Sequence, residues 1–191
     1  MKMESSDSMQ LEHKYARIEW ERRFLLAGFP KEAKVTRGRR ITDRYIVGTR
    51  LRLREIAESG RETVFKLTQK LPEQKIGARR GLITTMYLSR DEFCVLAKLP
   101  AKELTKTRHS APPFGIDVFD GQLSGLVLAE AEFDSAEEAN ALSVPEFAVR
   151  EVTDDFRFTG GSLVAATRQQ LQNWLQEDGI TVQAHSRIEI A

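Results

Sequence analysis

Charged and apolar side chains alternate with a period of two in five separate stretches of the chain. In Ile18-Glu19-Trp20-Glu21-Arg22-Arg23-Phe24 the two glutamates and Arg23 share one face, because successive side chains of a strand point to opposite sides. Arg50-Leu51-Arg52-Leu53-Arg54, Lys66-Leu67-Thr68-Gln69-Lys70 and Lys106-Thr107-Arg108 present cations at the same spacing, and Glu130, Glu132 and Asp134 alternate with Ala129, Ala131 and Phe133. Any one of these charged faces could be a solvated surface. As a set they argue otherwise: three segments carry only cations, two supply the anions, and like charges directly opposed on neighbouring strands are destabilising. A barrel whose charged faces turn inward onto a water-filled channel accounts for the whole set, with Ile18, Leu51, Leu53 and Val127 on the other face. Cationic walls beside a cluster of carboxylates suit a polyanionic phosphate chain carried with a divalent metal.

Between these stretches the breaks are clear. Residues 28–39, with Pro30 and Gly38, read as a loop leading into the strand Ile41–Val47 and a turn at Gly48. Ser59-Gly60 has hairpin spacing between the Arg54 strand and a strand over 63–70. Leu82–Leu88 is a further strand, ended by Ser89, which with Glu92 forms a capping box opening a helix through about Lys98. Ser135 and Glu138 repeat that signature ahead of a short helix ending near Leu142, where Glu137 and Glu138 favour the helix dipole. A last helix begins near Ser162, carries Leu163, Ala166, Leu171, Trp174 and Leu175 on or near one face, and stops before Gly179. The pattern is α+β with strands in the majority: a disordered leader over 1–14, one domain over 15–178 and a tail over 179–191.

Composition narrows the function. The chain has 191 residues, with 29 Lys and Arg against 28 Asp and Glu, so the basic strands are a local enrichment rather than the net basic footprint of a general nucleic-acid binder. No stretch is long and apolar enough to span a membrane, and Met1–Glu12 lacks the apolar core of a signal peptide, which makes a cytoplasmic protein the expectation. The single cysteine, Cys94, lies in the apolar run Phe93-Cys94-Val95-Leu96 and reads as a buried structural thiol. Trp20 and Trp174 read as packing residues. There is no phosphate-binding Gly-x-x-x-x-Gly-Lys-Ser/Thr loop, and His13, His109 and His185 do not support a Ser-His-Asp arrangement, although His109 borders Lys106-Thr107-Arg108.

The constellation resembles the CYTH domain of the triphosphate tunnel metalloenzyme superfamily. Glu19-Trp20-Glu21-Arg22-Arg23 is similar to the family's Glu-x-Glu-x-Lys, Leu51-Arg52-Leu53-Arg54 to its Leu-Arg-x-Arg strand, Thr68-Gln69-Lys70 to its Thr-x-Lys and Lys106-Thr107-Arg108 to its Lys-x-Arg. The run from Ile116 through Asp120-Gly121-Gln122-Leu123-Ser124-Gly125-Leu126, followed by Glu130-Ala131-Glu132-Phe133 and Glu151-Val152-Thr153, is similar to bacterial inorganic triphosphatases of the family. The resemblance covers roughly Ile18 to Thr167. It implies an eight-stranded antiparallel barrel forming a tunnel, with helices packed outside. It also implies Mg2+ or Mn2+ held by Glu19, Glu21, Glu130 and Glu132, phosphates bound by Arg52, Arg54, Lys70 and Arg108, and catalytic roles for Arg23 and Lys106. The partner would be a small-molecule triphosphate or polyphosphate, with no nucleic acid and no membrane; a homodimer is left open.

This chain departs from the family pattern at several places. Arginine stands at 23, where it is effectively never deprotonated. Arg80-Gly81-Leu82-Ile83-Thr84-Thr85 has no carboxylate where Arg-x-Glu-x-Glu is usual, and Phe158 and Gly160 replace a common tyrosine and asparagine. The expectation is a metal-dependent hydrolase of tripolyphosphate or a related organic triphosphate. The missing carboxylates at Ile83 and Thr85 favour a second reading, a polyphosphate- or nucleotide-binding module, and a cyclase acting on ATP is a weaker third.

Overall fold

Alternating charge organises nine antiparallel strands. The computed structural model describes residues 15–72 and 79–181, so the expected leader and residues 182–191 of the expected tail lie outside the described residues. The strands are β1 (Arg17–Leu26), β2 (Arg37–Ile46), β3 (Leu51–Ala57), β4 (Val64–Pro72), β5 (Arg79–Leu88), β6 (Ala101–Ala111), β7 (Phe114–Phe119), β8 (Val127–Phe133) and β9 (Ala148–Glu151). The helices are α1 (Arg90–Leu96), α2 (Ala136–Ala141), α3 (Gly160–Leu163) and α4 (Arg168–Glu177).

The strand order β5-β4-β3-β2-β6-β7-β8-β1 closes on itself because β1 also pairs with β5. One edge of β1 runs along β8 from Trp20 to Leu26. Its other edge is shared: Arg17–Glu21 pairs with β5 and Phe24–Leu26 with β9. The result is the closed eight-stranded antiparallel barrel of the expected α+β class, with β9 an addition to β1 and the helices outside. Among the described residues no helix is long and apolar enough to cross a membrane.

The barrel has two apolar cores, one on each side of its wall. Leu25, Leu104, Phe119 and Leu128 share the inward phase of the charged residues and pack with Phe158, Leu163, Leu171 and Leu175 from the C-terminal segments, filling one end of the interior. On the outer face, Phe24, Leu26, Ile116, Val127 and Ala129 lie beneath Phe29, Phe114, Leu142 and Phe147. Ile18 is 40% exposed, and Leu53 is buried on the phase opposite Arg52 and Arg54.

Of the two expected capping boxes, the first forms in full and the second only in half. The Ser89 hydroxyl accepts from the Glu92 backbone N–H at 3.3 Å while the Glu92 carboxylate accepts from the Ser89 N–H at 2.7 Å. The Ser135 hydroxyl accepts from the Glu138 N–H at 3.1 Å, but the Glu138 carboxylate reaches the Asp134 N–H instead of completing the box.

Three expectations need correction. The last helix is two: the chain is extended at Thr167 (φ −81°, ψ 160°), where the hydroxyl caps α4 in a box with Gln170. Leu163, Ala166, Leu171 and Leu175 are buried all the same, because both pieces dock on the inner core. The loop expected over 28–39 is shorter, since Arg37–Arg40 pair with Thr107–Ser110 of β6, a long-range pairing that local sequence does not carry. Cys94 is exposed. Helix α1 lies outside the barrel with Phe93 as its anchor, its ring 4.5 Å from that of Phe65, which turns Cys94 and Val95 to solvent.

Replacing Leu128 with Ala removes a fully buried side chain from the inner core and should cost about 3 kcal/mol. Val95→Ala on the exposed face of α1 should change stability by less than about 0.5 kcal/mol. Equilibrium denaturant unfolding of the two variants checks both; equal losses would contradict this assignment of the core.

Candidate functional site

Closing a sheet whose charged residues all share one phase forces them together. They surround a cavity of about 430 Å³ lined by all ten residues singled out above: Glu19, Glu21 and Arg23 from β1, Arg52 and Arg54 from β3, Lys70 from β4, Lys106 and Arg108 from β6, and Glu130 and Glu132 from β8. The sequence reading missed Asp43 and Tyr45 on β2, which also line it, and Asp117 on β7, which is fully buried behind Lys106 and Arg108. The signal for these aspartates is register. Asp43 faces Arg54 and Asp117 faces Arg108 across their ladders, but neither pairing shows in a single strand's alternation. Arg50 lines the cavity from the turn before β3.

Not every charge of the five stretches is inside. Asp134 lies past the end of β8 and pairs with Arg17 at the surface, and the Lys66 ammonium sits over the Tyr87 ring. His109 points away from the cavity, edge-on to Phe29 with ring centres 4.9 Å apart, and burial lowers its pKa. His13 and His185 lie outside the described residues. Trp20 lies under the Arg80 guanidinium and Trp174 packs against Phe158, so both are packing residues.

Ion pairing inside the barrel is dense. Arg23 Nε donates to Glu130 at 3.0 Å while its Nη2 donates to Glu21, so one planar guanidinium joins β1 to β8. The Lys70 ammonium donates to Glu21 and lies 2.7 Å from Glu19. Arg108 donates to Asp117 through Nε and Nη2, both at 2.6 Å, and also reaches Glu130; Lys106 donates to the same aspartate. Arg54 holds Asp43 through two bonds of 2.6 and 2.7 Å.

The electrostatics follow from burial set against pairing. Burial opposes ionisation of Glu130, but Lys106, Arg108 and Arg23 outweigh it and hold that carboxyl well below the usual range. Burial likewise opposes the Arg23 cation and is outweighed by Glu21 and Glu130. For Lys106 burial prevails over Asp117, and with Arg108 also nearby the ammonium is pushed down. Glu132 is the opposite case: its side chain is 60% exposed at the rim, its nearest cation among the described residues is Arg108 at 4.0 Å, and partial desolvation with the neighbouring Glu19 carboxylate raises it.

Among the described residues, two buried donors in this cavity have no hydrogen-bond partner, Arg23 Nη1 and Arg52 Nε; the nearest carboxylate oxygen to the latter, on Asp43, is 3.7 Å away. Among the described residues the cavity lining has seven cations, Arg23, Arg50, Arg52, Arg54, Lys70, Lys106 and Arg108, against the carboxylates of Glu19, Glu21, Asp43, Glu130 and Glu132. A site with surplus positive charge and unpaired N–H groups is complementary to an anion.

The wall formed by β5 bears no carboxylate, since Ile83 lines the cavity and the Thr85 hydroxyl is bonded to that of Thr68 at 3.1 Å. Gly160 has a steric reason. A Cβ there would overlap the Tyr45 hydroxyl, so the turn into α3 seats on that tyrosine only without a side chain.

A divalent ion fits part of the acidic set. Among the described residues no three acidic, histidine or cysteine side chains are gathered as a protein-only metal cage. Mg2+ is ordinarily held by one or two carboxylates together with substrate phosphates rather than by such a cage; the loosely paired rim carboxylate Glu132 and Glu19, which pairs with Lys70, would be the residues to hold it.

Barrel and interior together define a CYTH-type tunnel fold. The chain is similar to the crystal structure of the inorganic triphosphatase NE1496, with 29% identity and a TM-score of 0.52 over 78% of this chain and 95% of that one. A second structure, described as the hypothetical protein NE1496, matches at 28% identity with the same TM-score, over 78% of this chain and 99% of that one. No protein-family model and no curated protein sequence matches the chain.

Asp43 gives the site an acid limit. Although burial would raise it, Arg54, then Arg52 and Lys106, hold its carboxyl at about 2, below its ordinary 3.8. A depressed folded-state value contributes stability that is complete above about pH 4 and is lost as pH falls toward 2. Asp43→Asn, which strips Arg54 of its partner, should cost about 3 kcal/mol at pH 7, and its gap to wild type should narrow between pH 4 and 2. Unfolding measured across that range checks the sign; a gap independent of pH would contradict the assignment.

Proposed function

We propose that the cavity binds a linear triphosphate and that the protein hydrolyses it. The observation carrying this reading is the donor surplus: unpaired buried N–H groups on Arg23 and Arg52 within a lining richer in cations than in carboxylates. The likeness to a protein described as an inorganic triphosphatase supports the same reaction class.

In this reading Arg52, Arg54, Lys70 and Arg108 bind the phosphate oxygens and hold the chain extended. Arg23 and Lys106 act at the reacting phosphate, where phosphoryl transfer gains mainly from positioning and from fixed charge facing the charge that develops. Burial pushes the Lys106 ammonium down in the free protein, and an incoming anion beside it would favour its charged form. Glu19 and Glu132 would hold a Mg2+ or Mn2+ ion bound with the phosphates, which would supply neutralisation of the phosphate oxygens. Tripolyphosphate is the favoured substrate, since the apolar end of the cavity, formed by Leu104, Phe119, Phe158 and Leu163, offers little to a polar ribose. The lone exposed cysteine and the absence of any disulfide suit a cytoplasmic setting.

The carboxylate-free β5 wall favours a second reading, a module that binds polyphosphate without turnover. One panel separates them: phosphate release from tripolyphosphate, ATP and thiamine triphosphate, with and without Mg2+ or Mn2+. Hydrolysis should be seen with tripolyphosphate, and Lys106→Ala should lower kcat on the order of 10²-fold. No release from any of the three, with a melting temperature still raised by tripolyphosphate, selects the binding module. No release and no stabilisation rejects both.

A further inference from the structure

We propose that the Arg23 guanidinium takes the place of a divalent cation in the inner half of the tunnel, so that this chain has no metal site at Glu21 and Glu130 and takes up a metal only with its phosphate ligand. The inference rests on the triphosphate reading for its second half alone.

The geometry is specific. Glu21 and Glu130 are the two cavity glutamates bridged by Arg23, one from each end of its fork. The side chain of Arg23 is 8% exposed, that of Glu21 8% and that of Glu130 15%, so the trio is screened from water. Each glutamate has a further cation, Lys70 on Glu21 and Arg108 on Glu130. A divalent ion entering here would have to displace a guanidinium that cannot shed its proton, and would leave that charge buried beside a doubly charged neighbour. One donor of the same side chain, Nη1, is buried and unpaired, so the group can neutralise two carboxylates and still offer an N–H to an oxyanion. A lysine at this position could not do the same, since its ammonium is a point charge without the planar fork. The rim differs at Glu132: among the described residues its nearest cation is Arg108 at 4.0 Å and its side chain is 60% exposed, which leaves room for an ion that arrives coordinated to phosphate.

The test is direct Mn2+ binding, followed by the electron paramagnetic resonance of free Mn2+, with the full-length chain. Wild type should show no tight Mn2+ site on its own, and one Mn2+ per chain once tripolyphosphate is added. Arg23→Gln should create a site occupied by Mn2+ alone, at least tenfold tighter than any in wild type, and adding Glu130→Gln to that variant should abolish it. Arg23→Lys, which keeps the charge, should give an intermediate gain and serves if the glutamine variant does not fold. Tight Mn2+ binding by wild type alone that Glu21→Gln weakens would overturn the proposal, as would binding unchanged in both Arg23 variants. A failure of tripolyphosphate to recruit Mn2+ to wild type would count against the triphosphate reading, while the titrations with Mn2+ alone still decide the role of Arg23.

Discussion

A charge turned into a closed barrel has to find its partner inside that barrel. Water cannot neutralise it fully, and an unpaired buried ion costs several kcal/mol. Everything distinctive about this interior follows from that constraint. The inward phase of β1 carries both signs, the cations of β3 and β6 find Asp43 and Asp117 on neighbouring strands, and Arg23 ties β1 to β8 through Glu130. The network sets side-chain positions before any ligand arrives, and such preorganisation is what makes fixed charge effective in binding and catalysis.

The pairing is deliberately incomplete on one side. Carboxylates deep in the cavity are satisfied, whereas the leftover valence belongs to N–H groups and to the rim glutamate Glu132. A tunnel of balanced charge would be a structural core; surplus donors suit the proposed anion receptor. The apolar plug of Leu25, Leu104, Phe119 and Leu128 limits that receptor to part of the barrel, and the C-terminal segments seat on it through Phe158 and through Gly160 against Tyr45.

Much of this was legible in the sequence because strand periodicity is a local signal. The alternations at 19–23, 52–54, 106–108 and 130–132, with Lys70 from the stretch 66–70, placed ten side chains on the correct face of their strands, and closure of the barrel did the rest. What escaped depended on register or on packing. Asp43 sits between Thr42 and Arg44 and is explained only by Arg54 across the ladder; Arg37–Arg40 became strand only because β6 was there to pair with. Cys94 misled because an apolar run was read as buried, when a short helix outside a barrel needs just one anchor, Phe93. Thr167 carried a capping signature with Gln170 that the apolar periodicity around it concealed.

The central claim is that the cavity between Arg23, Arg52, Lys106 and Arg108 is built for a linear polyanion. A crystal structure of the protein with tripolyphosphate bound tests it most directly. The account predicts the phosphate chain inside the barrel, with phosphate oxygens accepting from Arg23 Nη1 and Arg52 Nε; tripolyphosphate found only on the outer surface, with both donors still unpaired, would contradict it.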